Sequence, residues 1–275
     1  MQWRGRRGSR NIEDRRRTSA AGIGGLGGGA VVVVLLIGYF FGVDVTPLLE
    51  GTGTQTSTEL SAADLQAGEF VSVTLADTEE VWAGVFAAQT RQRYQPPVLV
   101  LFKGATQSPC GGASAASGPF YCPSDQKVYL DTEFFTTLER QLGAEGDFAA
   151  AYVVAHEVGH HVQNQLGTLQ TTTRARAQAA PAAANAISVQ VELQADCYAG
   201  IWARRAEASF GSIEPGDIAE AMSAAARIGD DTLQRNAGRT VNPDSFTHGT
   251  SADRQAWFAQ GYQGGTLAGC NTFGG

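Results

Sequence analysis

The residues most able to do chemistry lie in one short string, Ala155-His156-Glu157-Val158-Gly159-His160-His161, in a stretch compatible with a helix. Side chains four apart on a helix lie one above the other, so His156 and His160 can direct a ring nitrogen at a single metal ion. Glu157 is turned by about 100° from His156, which lets it reach a water beside the metal rather than the metal itself. That is the placement of a general base for hydrolysis. The chain has four histidines and three of them are here. Gly159, between the two presumed ligands, leaves room for another backbone.

A catalytic zinc takes three protein ligands and keeps one position open. The third is expected from Glu192-Leu193-Gln194-Ala195-Asp196, a string that begins 32 residues after His160 on a second predicted helix. Glu192 and Asp196 share a face, with Ala195, Ala199 and Gly200 on or beside it. Small residues there allow close packing on the first helix, presenting Glu192 to the metal and letting Asp196 accept the other ring N–H of a ligand histidine. The bland reading of this pair is a solvated helix face. His161 is not turned to ligate together with His160, which leaves it a packing or substrate-edge role. His248, in Thr247-His248-Gly249-Thr250-Ser251, precedes a helix for which Ser251 is a plausible N-cap. It is a candidate to stabilise an oxyanion; Arg254 is a weaker one, with a structural ion pair as its alternative.

Residues that must position this string follow from patterning. A helix is predicted over about 70–88, a buried strand over 97–102, and short strands around Tyr121 and over 127–131. Further helices are predicted over about 133–142, 148–166, 187–210, 215–228 and 251–261. The Thr-, Gln- and Ala-rich stretch 167–185 reads as a loop or loose helix. With 43% hydrophobic residues the chain can build a core, which excludes disorder as a whole. No basic stripe lies outside residues 1–17, so nucleic-acid binding by the main domain has no electrostatic support.

Charge is unevenly spread. Seven arginines fall in the first 17 residues, no charge lies between Thr18 and Val43, and 13 basic against 25 acidic side chains follow. The uncharged stretch contains the apolar run Ala30 to Phe41, and about 20 apolar residues are needed to cross a bilayer. This predicts a basic cytoplasmic amino terminus over 1–20, a transmembrane anchor over 21–43, a Thr/Gly-rich linker over 44–60 and a metallopeptidase domain over 61–275. By the positive-inside rule the domain is expected outside a bacterial cell membrane; a cleaved signal peptide is the alternative. The four cysteines suit disulfides in such a place. Cys110 and Cys122 flank a short loop and would pair locally, leaving Cys197 with Cys270; buried free thiols are the alternative.

His-Glu-Val-Gly-His-His, Glu-Leu-Gln-Ala-Asp-Cys-Tyr-Ala-Gly, Gly-Pro-Phe-Tyr-Cys-Pro-Ser-Asp and His-Gly-Thr-Ser together resemble the bacterial membrane-anchored neutral zinc metallopeptidases. The arrangement is also similar to gluzincins, in which a glutamate on a second helix completes the site. The resemblance implies an α+β fold: an N-terminal transmembrane helix, then a mainly helical zincin-like domain, a minimal gluzincin, with a small β-sheet. It implies one Zn²⁺ on His156, His160 and Glu192, Asp196 behind a ligand, His248 as a transition-state stabiliser, and a peptide or protein substrate. The spacer between the motifs does not match a thermolysin subdomain. Rival readings are a zinc-containing, non-catalytic, membrane-tethered scaffold and a zinc hydrolase of a non-peptide amide.

Overall fold

A computed structural model describes residues 1–17, 59–114, 118–135 and 146–274 of the 275-residue chain. The first long helix, α1 (Ala62–Gln89), starts where Ser61 and Asp64 satisfy each other's backbone N–H groups in a capping box. Among the described residues six short strands follow the order β1 (Ile12–Asp14), β2 (Val98–Phe102), β3 (Ala105–Ser108), β4 (Gly111–Ser114), β5 (Phe120–Cys122) and β6 (Lys127–Asp131). β1, β2, β6 and β5 form one sheet in that order, with β1 and β6 parallel to β2 and β5 antiparallel to β6. β3 and β4 form a separate hairpin. The alternation of side chains along a strand divides the sheet's burial. Leu99, Leu101, Val128 and Leu130 face the main helical core, while Val100, Phe102 and Tyr129 cover a smaller cluster with Ala113 and Cys122. Cys110 and Cys122 are joined, tying the hairpin to β5.

The helical layer consists of α2 (Asp147–Gln165), α3 (Thr168–Gln178), α4 (Pro181–Phe210), α5 (Asp217–Arg227), α6 (Asp230–Asn236) and α7 (Ser251–Gly264). α2 carries the first motif and α4 the second. They meet at Gly159, where an added Cβ would stand 3.1 Å from the Ala195 carbonyl oxygen. α4 and α7 come closer still. A side chain at Gly200 would run into the backbone of Phe258 and Tyr262, and one at Gly261 into the backbone of Cys197. The Cys197–Cys270 disulfide fastens the same contact from beyond the end of α7.

Several expectations change. Of the two readings of 167–185, loop or loose helix, residues 168–178 and 181–185 take the helical one, and α1 begins eight residues earlier than periodicity suggested. Most of the helix expected at 133–142 lies outside the described residues, as do the anchor expected at 21–43 and nearly all of the linker. The mixed α+β, mainly helical character is present, but the expected transmembrane architecture is corrected: no described helix is long and apolar enough to cross a membrane. The single-pass placement, with amino terminus and domain on opposite sides, falls with it. Its electrostatic premise fails too, because the Arg-rich residues 1–17 are built into the domain. Trp3 is buried edge-on to Phe70 with ring centroids 5.6 Å apart. Arg6 makes two 2.7 Å hydrogen bonds to the buried Asp77. The Leu99 N–H donates to Asn11 O and the Arg15 N–H to Leu101 O, placing β1 on the sheet edge. Strands of one sheet share one side of any membrane.

Asp77 illustrates the strength of this attachment, since burial raises its pKa and Arg6 is its hydrogen-bonded counter-charge. Arg6→Ala is therefore expected to lower unfolding free energy by about 2–4 kcal/mol in urea denaturation, the cost of leaving a buried carboxylate alone. Arg7→Ala, at a residue exposed to solvent, should change it by less than about 0.5 kcal/mol. Equal effects would show that residues 1–17 are not packed in this way. A second expectation concerns acid. Burial would raise the pKa of Asp64, but Lys103 and the Ser61 hydroxyl and N–H outweigh it and bring it to about 2. A depressed carboxylate contributes stability above its unfolded pKa, and the contribution is lost as pH falls from about 4 to about 2. Asp64→Asn should flatten that part of a stability–pH curve; an unchanged slope would remove Asp64 as its source.

Candidate metal centre

α2 presents His156, Glu157 and His160 from successive turns within a helix buried on nearly all sides. α4 presents Glu192 and Asp196, one turn apart, against it. His156 Nε2 lies 3.1 Å from Glu192 Oε2, and His160 Nε2 lies 3.5 Å from Glu192 Oε1. One ligand atom from each of the three falls within 4.8 Å of the others. Each imidazole is aimed by its opposite nitrogen. His156 Nδ1 is 2.8 Å from Asp196 Oδ1, and His160 Nδ1 is 2.9 Å from Gln163 Oε1. Gln163 in turn donates to Val191 O at 2.7 Å, so α4 holds the residue that holds His160. Both rings thus have Nδ1–H engaged and Nε2 turned to Glu192, the tautomer a metal requires.

The electrostatics follow from burial and pairing. Burial opposes a charged His156, but Asp196 and Glu192 prevail and raise its pKa to about 10. His160 is raised by Glu192 against the same burial, and the two rings hold the half-buried Glu192 well below the ordinary carboxylate range. Glu157 differs. Burial raises its pKa, while His160, His156 and a backbone hydrogen bond from Tyr121 pull against the rise. It is the carboxyl group at the cluster that is tuned towards holding a proton. Two imidazole nitrogens and one carboxylate oxygen are the donor set of a hydrolytic zinc, so the residues present fit that ion.

Behind the cluster, Asp196 is wholly buried and accepts from His156, from the Tyr152 hydroxyl and from Arg254, whose Nε and Nη2 lie 2.8 and 3.0 Å away. Burial raises the pKa of Asp196, and Arg254 and His156 together more than reverse it. Arg254 is 2% exposed, in an ion pair with Asp196. His248 has a side chain 47% exposed and feels the charge of Glu192. Its Nδ1 is 3.3 Å from Asp230 Oδ1, and Asp230 Oδ2 receives the backbone N–H groups of Thr247, His248 and Gly249 at 2.6–3.0 Å. α7 is capped by the Thr250 side chain rather than by Ser251.

Three of these partners were not among the sequence candidates. Tyr152 and Gln163 lie four before His156 and three after His160, so helical spacing could have found them. Asp230 has no such signal. A second carboxylate group, Asp147, Asp217 and Glu220, has its own partners: the Met1 amino group contacts Asp147 and Asp217, and the Phe148 N–H donates to Glu220.

Residues 1–273 match the family described as "Putative neutral zinc metallopeptidase", and the chain belongs to that family. It is 44% identical to the uncharacterized protein YpfJ of Escherichia coli K12 over 286 aligned residues, covering 100% of this chain and 99% of YpfJ. It is 41% identical over 205 residues to the uncharacterized protein Rv2575 of Mycobacterium tuberculosis H37Rv, covering 71% of this chain and 67% of that relative. No solved structure matches the chain.

If His156 depends on Asp196 for its orientation, Asp196→Asn should bind Zn²⁺ about 10–100-fold more weakly in competition with a chromophoric chelator. Equal affinities would separate the buried network from the metal.

Proposed function

We propose that this chain, as a member of the neutral zinc metallopeptidase family, hydrolyses peptide bonds with His156, His160 and Glu192 holding one Zn²⁺ and Glu157 acting as general base. The single observation that carries the reading is that the base and two of the three donors come from successive turns of one helix, with the third donor on the neighbouring helix. A metal that only braced the fold would have no use for a buried carboxyl group whose pKa is raised beside it.

Bound there, zinc supplies Lewis acidity that polarises a peptide carbonyl and acidifies water. The chain's own groups do the rest. Glu157 takes the proton of the attacking water and returns it to the departing amine, a role favoured by a carboxyl pKa raised by burial. Asp196 and Gln163 keep the two imidazoles in one tautomer. His248, aligned by Asp230 and left half-open to solvent, is suited to donate a hydrogen bond to the oxyanion as it forms. β5, the end strand of the sheet, passes beside Glu157 and offers an edge along which an extended peptide could pair.

Glu157→Gln separates binding from chemistry. It should take up Zn²⁺ as the parent does and hydrolyse a mixed peptide library about 10²–10⁴-fold more slowly, and the parent's activity should vanish with chelator and return with added zinc. Parent-like cleavage by the variant would remove Glu157 as the base.

A further inference from the structure

The third histidine of the metal helix does not face the metal cluster. His161 is 1% exposed and its ring lies on the sheet side of α2, edge-on to Tyr121 and Tyr94 with centroids 5.4 and 6.0 Å away. Its Nε2 is 2.7 Å from the Gln95 carbonyl oxygen and its Nδ1 is 3.0 Å from the Tyr121 hydroxyl. A carbonyl only accepts, so Nε2 carries the proton towards Gln95 and, in the neutral ring, Nδ1 accepts from Tyr121. The Tyr121 oxygen also accepts from Asn164 Nδ2 at 2.9 Å. The chain of donation therefore runs from Asn164 through Tyr121 and His161 to Gln95, and the Gln165 side-chain amide lies against both His161 Nε2 and the Gln95 carbonyl oxygen.

Tyr121 is the middle residue of β5, three residues long and at the end of its sheet. Its side chain grips α2 through His161 and Asn164, and its backbone N–H bonds Glu157 on the same helix. So short an end strand has few ladder bonds of its own, and its distance from α2 depends on these side-chain contacts. We propose that His161 and Tyr121 form a latch that sets the separation of β5 from the metal helix, and with it the register in which an extended peptide lies against Glu157. Both are positioning residues, since neither faces the reacting atoms. The proposal rests on the peptidase reading of the site for its consequence, but the latch itself is a statement about β5.

The test uses the full chain with Tyr121→Phe, which keeps the ring and removes the hydroxyl, and His161→Gln as a second variant. Backbone hydrogen exchange at residues 120–122 is expected to quicken about tenfold in Tyr121→Phe, while that of α2 stays at the parent rate. Zinc affinity should stay within about threefold of the parent, and for a library-derived peptide KM should rise about tenfold with kcat changed less than about threefold, a loss of substrate alignment rather than of chemistry. Parent-like exchange at 120–122 in both variants overturns the latch. So does faster exchange spread equally over β5 and α2 with KM unchanged, which is a general loss of stability. A parent protein that cleaves no peptide sinks the peptidase reading alone, because the exchange pattern still decides the latch.

Discussion

The arrangement of the candidate metal centre depends on one buried carboxylate. Asp196 lies in the core between a histidine, a tyrosine hydroxyl and a guanidinium, and a lone ionised carboxylate there would cost several kcal/mol. Arg254 makes its ionised form tenable. That is possible because Gly200 and Gly261 let α7 lie directly on α4, bringing an arginine that starts near the surface end of α7 into contact with the middle of α4. The order of dependence runs from glycine packing, through the Arg254–Asp196 pair, to the Nδ1–H of His156 and so to the direction of its Nε2. The disulfide between Cys197 and Cys270 secures that packing at the residue next to Asp196.

The opposite side of α2 faces the sheet, and the helix thereby joins two kinds of chemistry. Towards α4 it offers His156 and His160 to a carboxylate. Towards β5 it offers His161 and Asn164 to Tyr121, and Glu157 lies where the two sides meet. A helix of 19 residues buried on almost every face has little freedom to shift, so His156, Glu157 and His160 keep a common frame. His248 comes from a loop, where rigidity must be supplied separately, and Asp230 supplies it by collecting three consecutive backbone N–H groups.

The charge asymmetry of the chain also finds its explanation inside the molecule. Arginines at the amino terminus and carboxylates beyond it are complementary, and Arg6 with Asp77 and Arg7 with Glu79 pair across the junction between residues 1–17 and the rest of the chain. A cluster of arginines ahead of an apolar run is the same signal that orients a membrane span. The signal alone does not say whether the partner is a lipid surface or the protein's own acidic face.

The sequence by itself determined which residues share a helical face. His156 with His160, and Glu192 with Asp196, are spaced by one turn, and small residues between them announce a close helix crossing; the buried strands at 98–102 and 127–131 were legible for the similar reason that local patterning encodes them. Only the tertiary structure decided the partners that no local period contains. Arg254 meets Asp196 across 58 residues, His248 meets Asp230 across 18, and β1 is a strand solely because β2 is beside it, since Ile12-Glu13-Asp14 has no strand pattern of its own. Periodicity records the geometry of a helix or strand within itself, whereas the pairing of distant charges and edges is set when the whole core closes and must leave no buried group without a partner.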